Sequence, residues 1–244
     1  MQVRYLQGPL NIGRAVGIHD IGRGLHLGVD GAELGGEFHD TILISANPFA
    51  ERLPRNTFFK FVSVAESTGA IATDPAVVTE LAAEVARTHP NKRIVVHYMQ
   101  PHTPHLGGVN DRFKQCGISG VDDREEDDTY SVWEAVKNNL ITHAELRESY
   151  IENLHIVEAE CQRLCELLEG KTVITSDHGE HLGERKPVFR YYGHGYDTIE
   201  NRQVPYLTVP YKTRKRLTED EPEESRRRSE DEISSHLALL GYIE

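Results

Sequence analysis

Cysteine, lysine and long apolar runs are all scarce in this sequence. Three cysteines, Cys116, Cys161 and Cys165, occur in 244 residues. They show no Cys-x-x-Cys spacing and make no disulfide framework, so they are expected as small buried side chains without redox or zinc-thiolate roles. Eight of the 27 basic residues are lysine, against 39 acidic residues. The resulting net charge of −12 argues against nucleic acid as a partner, because phosphate binding needs clustered positive charge. Low lysine with abundant acid also resembles the solvated surfaces of salt-adapted proteins. No apolar stretch approaches the roughly 18 residues that would span a bilayer, and no basic, apolar leader follows Met1, which makes the cytoplasm the expected compartment. Glycine recurs through the first 36 residues, but Gly22-Arg23-Gly24 has no strand before it and no third glycine at dinucleotide-fingerprint spacing, so no phosphate loop is read there.

What is present is an alternation of strand-like and helix-like segments. Residues 41–45 (Thr-Ile-Leu-Ile-Ser) are a β-branched apolar run stopped by Asn47-Pro48, and 58–64 are a second. Asp74-Pro75 supplies an N-cap and a first-position proline for a helix to about residue 88. A strand over 94–98 ends at Gln100-Pro101. Residues 107–128, rich in Gly and Asp, read as a solvated loop. From Trp133 to Leu168 apolar residues recur at three- and four-residue spacing, which predicts two amphipathic helices within 131–169, stopped by Gly170. Residues 172–175 make a core strand and 206–209 a further one. A mixed-charge linker over 219–228 and a short helix over 229–240 complete the chain. This order predicts one α/β domain with a mostly parallel sheet and helices on both faces. In such sheets sites form at the carboxyl ends of strands, where Asn47, the stretch Gln100 to His105 and the stretch Asp177 to Glu180 all fall.

Asp177-His178-Gly179-Glu180 puts a carboxylate and an imidazole on adjacent residues, followed by a glycine that permits a sharp turn. These donors suit Mn, Zn, Mg or Ca. An isolated Asp-His pair reads more simply as a helix cap beside a solvated imidazole, but His181, Glu184 and Gly193-His194-Gly195 follow closely. Upstream, Gln100-Pro101-His102-Thr103-Pro104-His105 holds imidazoles between two prolines that restrict the backbone. His97 lies within a strand and reads as a core or supporting residue. The remaining histidines read as structural.

Residues 173–184 (Val-Ile-Thr-Ser-Asp-His-Gly-Glu-His-Leu-Gly-Glu), then Tyr192-Gly193-His194-Gly195 and Val204-Pro205-Tyr206-Leu207, resemble in order and spacing the C-terminal metal segment of sulfatases and their phosphotransferase relatives in the alkaline phosphatase superfamily. Tyr98 to Pro104 is similar to that family's substrate-histidine loop, Thr41 to Phe49 to the strand and turn before it, and Leu239-Leu240-Gly241-Tyr242 to a common ending. The resemblance covers residues 38–244 and leaves 1–37 as an irregular lead-in.

The resemblance implies an alkaline-phosphatase-like α/β fold in which Asp177 and His178 ligate a divalent cation. His102 contacts the sulfuryl or phosphoryl oxygens or protonates the leaving group, and His194 contacts the substrate or a second metal. Sulfatases proper more often carry Asn where His178 stands, which points to phosphoester-cleaving or phosphoglycerol-transferring relatives. The implied chemistry is attack at phosphorus or sulfur with metal-stabilised charge, on an anionic small-molecule or glycan ester. An Asp-Ser-x-Arg-like strand end and a Ser, Thr or modified Cys nucleophile are not found. Cys116 lies after the substrate-histidine loop, not before it, and Asp20, Asp30, Glu37 and Asp40 are substitute ligand candidates without a convincing strand before them. Two expectations follow. One is an ester hydrolase or transferase whose missing segment lies upstream of Met1 or on a partner chain; the other is a non-catalytic relative that binds an anionic ligand.

Overall fold

The computed structural model describes residues 37–54, 56–64, 73–118, 130–185, 189–195 and 197–223, with 229, 231, 234 and 235 beyond them. The glycine-rich opening stretch, the acidic run at 122–128 and most of the expected final helix lie outside the described residues. Strand β1 (Phe38–Ser45) is central, with β2 (Phe58–Ser63) and β3 (Arg93–His97) parallel to it on either side. Its Ile42, Leu43 and Ile44 are fully buried. A strand covered on both faces is apolar at consecutive positions, which is why the run does not alternate. Each such side chain contributes about 1.5–3 kcal/mol on burial.

On one face Ile42, Ile44 and Ala46 pack with Val78, Ala82 and Val85 of helix α1 (Pro75–Thr88) and with Leu164. Asp74 caps α1 by accepting from the amide of Ala76, and Pro75 starts it, as the sequence predicts. The other face carries Leu43, Phe58 and Phe61 against Ala50 and Leu53, from a single 3-10 turn, Pro48–Arg52. Among the described residues helices pack on one face of this parallel sheet and the Pro48–Arg52 turn on the other, within the α/β architecture that the sequence predicts. Asn47 spends its side chain capping that turn at the amide of Phe49, so it serves local structure instead of the strand-end cluster.

Residues read as solvated loop contain helix α2 (Gly108–Gln115), whose Val109 and Phe113 are buried with Leu146. Their helical spacing is too short to stand out in a polar stretch. Helices α3 (Val132–Lys137) and α4 (His143–Leu167) match the two-helix reading, each opened by a capping box, Ser131 with Glu134 and Thr142 with Glu145. Cys116 is exposed, against expectation, while Cys161 and Cys165 are half-buried; burial pushes the Cys161 thiol up to about 11, far from a reactive thiolate.

Beyond α4 come β4 (Val173–Thr175), β5 (His181–Arg185), β6 (Arg190–Gly193), the single turn α5 (Ile199–Arg202) and β7 (Tyr206–Thr208). Strand β4 pairs antiparallel with β7 rather than joining the parallel sheet, and β5 pairs antiparallel with β6. The segment after β7 returns along the sheet. Lys92, almost fully buried, reaches the carbonyls of His39 and Thr218 and the carboxylate of Asp220, and its ammonium lies 3.7 Å from the Phe59 ring centre. No helix among the described residues is long and apolar enough to cross a membrane.

Candidate metal and anion site at the strand ends

The carboxyl ends of β1, β3 and β4 converge. Ser45, the last residue of β1, accepts the amide of Asn47 through its hydroxyl. The same hydroxyl is hydrogen-bonded to Nδ1 of His97, 3.1 Å away. The other ring nitrogen, Nε2, lies 3.9 Å from Oδ2 of Asp177 at the end of β4. Burial holds the His97 pKa below its ordinary value despite Asp177. Burial opposes ionisation of Asp177, but His97, His178 and backbone amides outweigh it and its pKa falls below the usual range.

The next residues turn sharply. Ser176 donates to the carbonyl of His178, and the amide of Gly179 donates to the carbonyl of Asn201. A Cβ on Gly179 would sit 2.1 Å from the carbonyl oxygen of Glu200, so only glycine allows this approach. The ring of His178 donates through Nδ1 to the carbonyl of Gly179. Its Nε2 lies 3.7 Å from Oδ1 of Asp177.

The β5–β6 hairpin supplies the rest. Its register pairs His181 with Gly193, which sets Glu180 opposite His194. Gly193 has φ +78, a left-handed conformation that carries the chain out of the strand. The buried Glu180 carboxylate accepts from Nδ1 of His194 at 3.2 Å. His194 stacks on His178, ring centres 4.1 Å apart, and lies 5.2 Å from His102. Three imidazoles thus stand in file, with Asp177 at one end. Their protonation differs. Burial disfavours charge on His194, but the bond to Glu180 and its charge, with Asp177, raise the pKa above the ordinary value. Burial dominates at His102 and brings it down to about 4, although its Nδ1 donates to the carbonyl of Thr103. Neighbouring histidines pushed apart in this way suit an acid and a base at one pH.

The structure brings His102, Asp177, His178 and His194 together and leaves other candidates out. His181 is fully buried between Thr198 and Glu184. His105 is buried against Ser149. Glu37 accepts from Asn56 and Asp40 pairs with Arg93; both stand at the start of β1, about 26 Å and about 16 Å of strand respectively from its carboxyl end, so neither substitutes as a ligand here. Asp20 and Asp30 lie outside the described residues. The sequence pattern assigned Glu180 no separate role and left His97 open as a core or supporting residue. The hairpin register was the missing signal for the first, and the pairing of β1 with β3, which sets Ser45 beside His97, for the second.

As a cation site, Asp177 and His178 offer a hard oxygen and a borderline nitrogen. Their 3.7 Å separation can be bridged by a metal bound at about 2.0–2.2 Å to each. The pair fits part of a coordination shell. Among the described residues no group of three or more His, Cys, Asp or Glu side chains is placed to hold a metal.

Fold and site together define an α/β protein with charged and imidazole groups gathered at the carboxyl ends of its strands. The chain belongs to the sulfatase family, whose model, described as Sulfatase, matches residues 45–242. Membership supports, in general, a hydrolase-type function on sulfate or phosphate esters and an anionic ester as substrate. No curated protein and no solved structure matches the chain.

Proposed function

We propose that residues 38–244 form the cation-binding and leaving-group side of a phosphoric or sulfuric ester-cleaving site. The observation that carries this reading is the imidazole file His178, His194 and His102, with Asp177 beside His178 and buried Glu180 bonded to His194 at the middle of the file. Asp177 and His178 would hold a divalent cation, which supplies positive charge against the oxygens on phosphorus or sulfur. His178 in place of asparagine favours the phosphoester. His194, kept protonated by Glu180, donates to a non-bridging oxygen of the ester. His102 is neutral until an ester dianion lies beside it; it then gains a proton that it can deliver to the leaving oxygen. The nucleophile and further acidic ligands come from outside the described residues, on this chain or a partner chain.

Metal analysis of wild type against Asp177→Ala, joined to inorganic phosphate binding by calorimetry, tests this. The expected outcome is loss of most bound divalent metal in Asp177→Ala and about tenfold weaker phosphate binding in His194→Ala. Unchanged metal content would remove Asp177 as a ligand. Phosphate binding without turnover of phosphate or sulfate monoesters would leave an anion-binding relative without catalysis.

A further inference from the structure

Helix α4 carries two polar residues where its core-facing stripe calls for apolar ones. Ser149 and Asn153, one turn apart, are both fully buried within a stripe that also holds Leu146 and Val157. A buried amide is costly unless its donor and acceptor are both used, and here they are. The Asn153 Nδ2 donates to the carbonyl of His102 at 3.2 Å, and its Oδ1 accepts from the amide of Leu106 at 3.1 Å. One side chain thus ties two points of the loop after β3. The same turn secures the rest of that loop. Ser149 bonds His105 at 2.9 Å, and the Glu152 carboxylate accepts from the amides of Gly108 and Val109 at 3.0 and 2.9 Å.

The ring of His102 is bonded to the carbonyl of the next residue, Thr103, so its direction follows the backbone that Asn153 holds. We infer that Asn153 is a positioning residue for His102, aiming its imidazole at His194 from helix α4. This rests on the reading of His102 as an anion contact.

A double-mutant cycle on the full chain tests it, with inorganic phosphate as the probe in calorimetry. Asn153→Ala and His102→Ala should each weaken phosphate about tenfold, and the double variant should be no weaker than His102→Ala alone. Unchanged affinity in Asn153→Ala, or losses that multiply in the double variant, overturns the inference, since a merely structural residue acts independently of His102. A second readout does not depend on phosphate. The His102 Cε1–H resonance should move in Asn153→Ala while that of the distant His89 stays in place. If His102→Ala leaves phosphate binding intact but the His102 resonance still moves, the anion role of His102 fails and the positioning contact stands; no movement sinks the contact itself. Should Asn153→Ala not fold, Asn153→Asp, which keeps the acceptor for Leu106, carries the same measurements.

Discussion

At the scale of single residues, the informative groups are polar ones held where water is absent. His105 bonds Ser149 through Nδ1, while its Nε2 is buried without a partner. Burial brings its pKa down to about 4 from 6.5. A histidine with a depressed folded pKa binds fewer protons folded than unfolded in the interval between the two values. Its contribution is therefore intact above about pH 6.5 and declines as pH falls towards 4, by about 3 kcal/mol in full. Urea unfolding at pH 7 and pH 5 should show the decline, with a shallower slope for His105→Gln; an identical slope would mean that His105 is not the group titrating. Gly179→Ala places a methyl against the Glu200 carbonyl, a backbone atom that cannot swing away. We expect a loss of about 1–3 kcal/mol, seen as a fall of several degrees in melting temperature.

Elements come next, and their ends are set by local chemistry that the sequence displays. Asp74-Pro75 starts α1, and the Thr142–Glu145 capping box starts α4. Thr142→Ala should cost about 1 kcal/mol in chemical denaturation, and Thr142→Ser should restore it. A null result would mean that tertiary packing alone holds the first turn. Helix α4 was legible from its apolar spacing, but the purpose of Ser149 and Asn153 was not, because polar residues inside a stripe have no meaning until the facing loop is known. Strand β4 shows the reverse limit. Val-Ile-Thr reads as a core strand, yet three residues carry no information on which edge they pair with or in which direction.

For the molecule as a whole, the return of the chain after β7 is tied down by buried Lys92, alongside the Lys60–Glu223 ion pair and the amides of Thr218 and Glu223 bonded to the carbonyls of Asn91 and Phe59. Lys92 satisfies two carbonyls and Asp220 at once, while Asp220 keeps more than half of its side chain in water. Lys92→Met would keep the contact with Phe59 but leave the His39 and Thr218 carbonyls short of a donor. A destabilisation of about 2–4 kcal/mol is expected, with faster limited proteolysis over 212–223. Equal proteolysis rates would show that Lys92 does not pin that segment.

What the sequence determined by itself was the set of chemically committed pieces: the parallel strands β1 to β3, the capped helices, and the Asp177-His178 and His102 motifs at strand ends. These are legible because apolar periodicity, caps and motif spacing act over a few residues. Only tertiary structure decided that Glu180 is bonded to His194 and raises its pKa, that His97 faces Asp177, and that Asn153 holds the His102 loop. Each of these joins residues between 14 and 80 positions apart, through a hairpin register, a convergence of strand ends not paired with each other and a helix-to-loop contact. Local pattern carries no record of such distances, since they are fixed by how the elements pack and not by what any one of them contains.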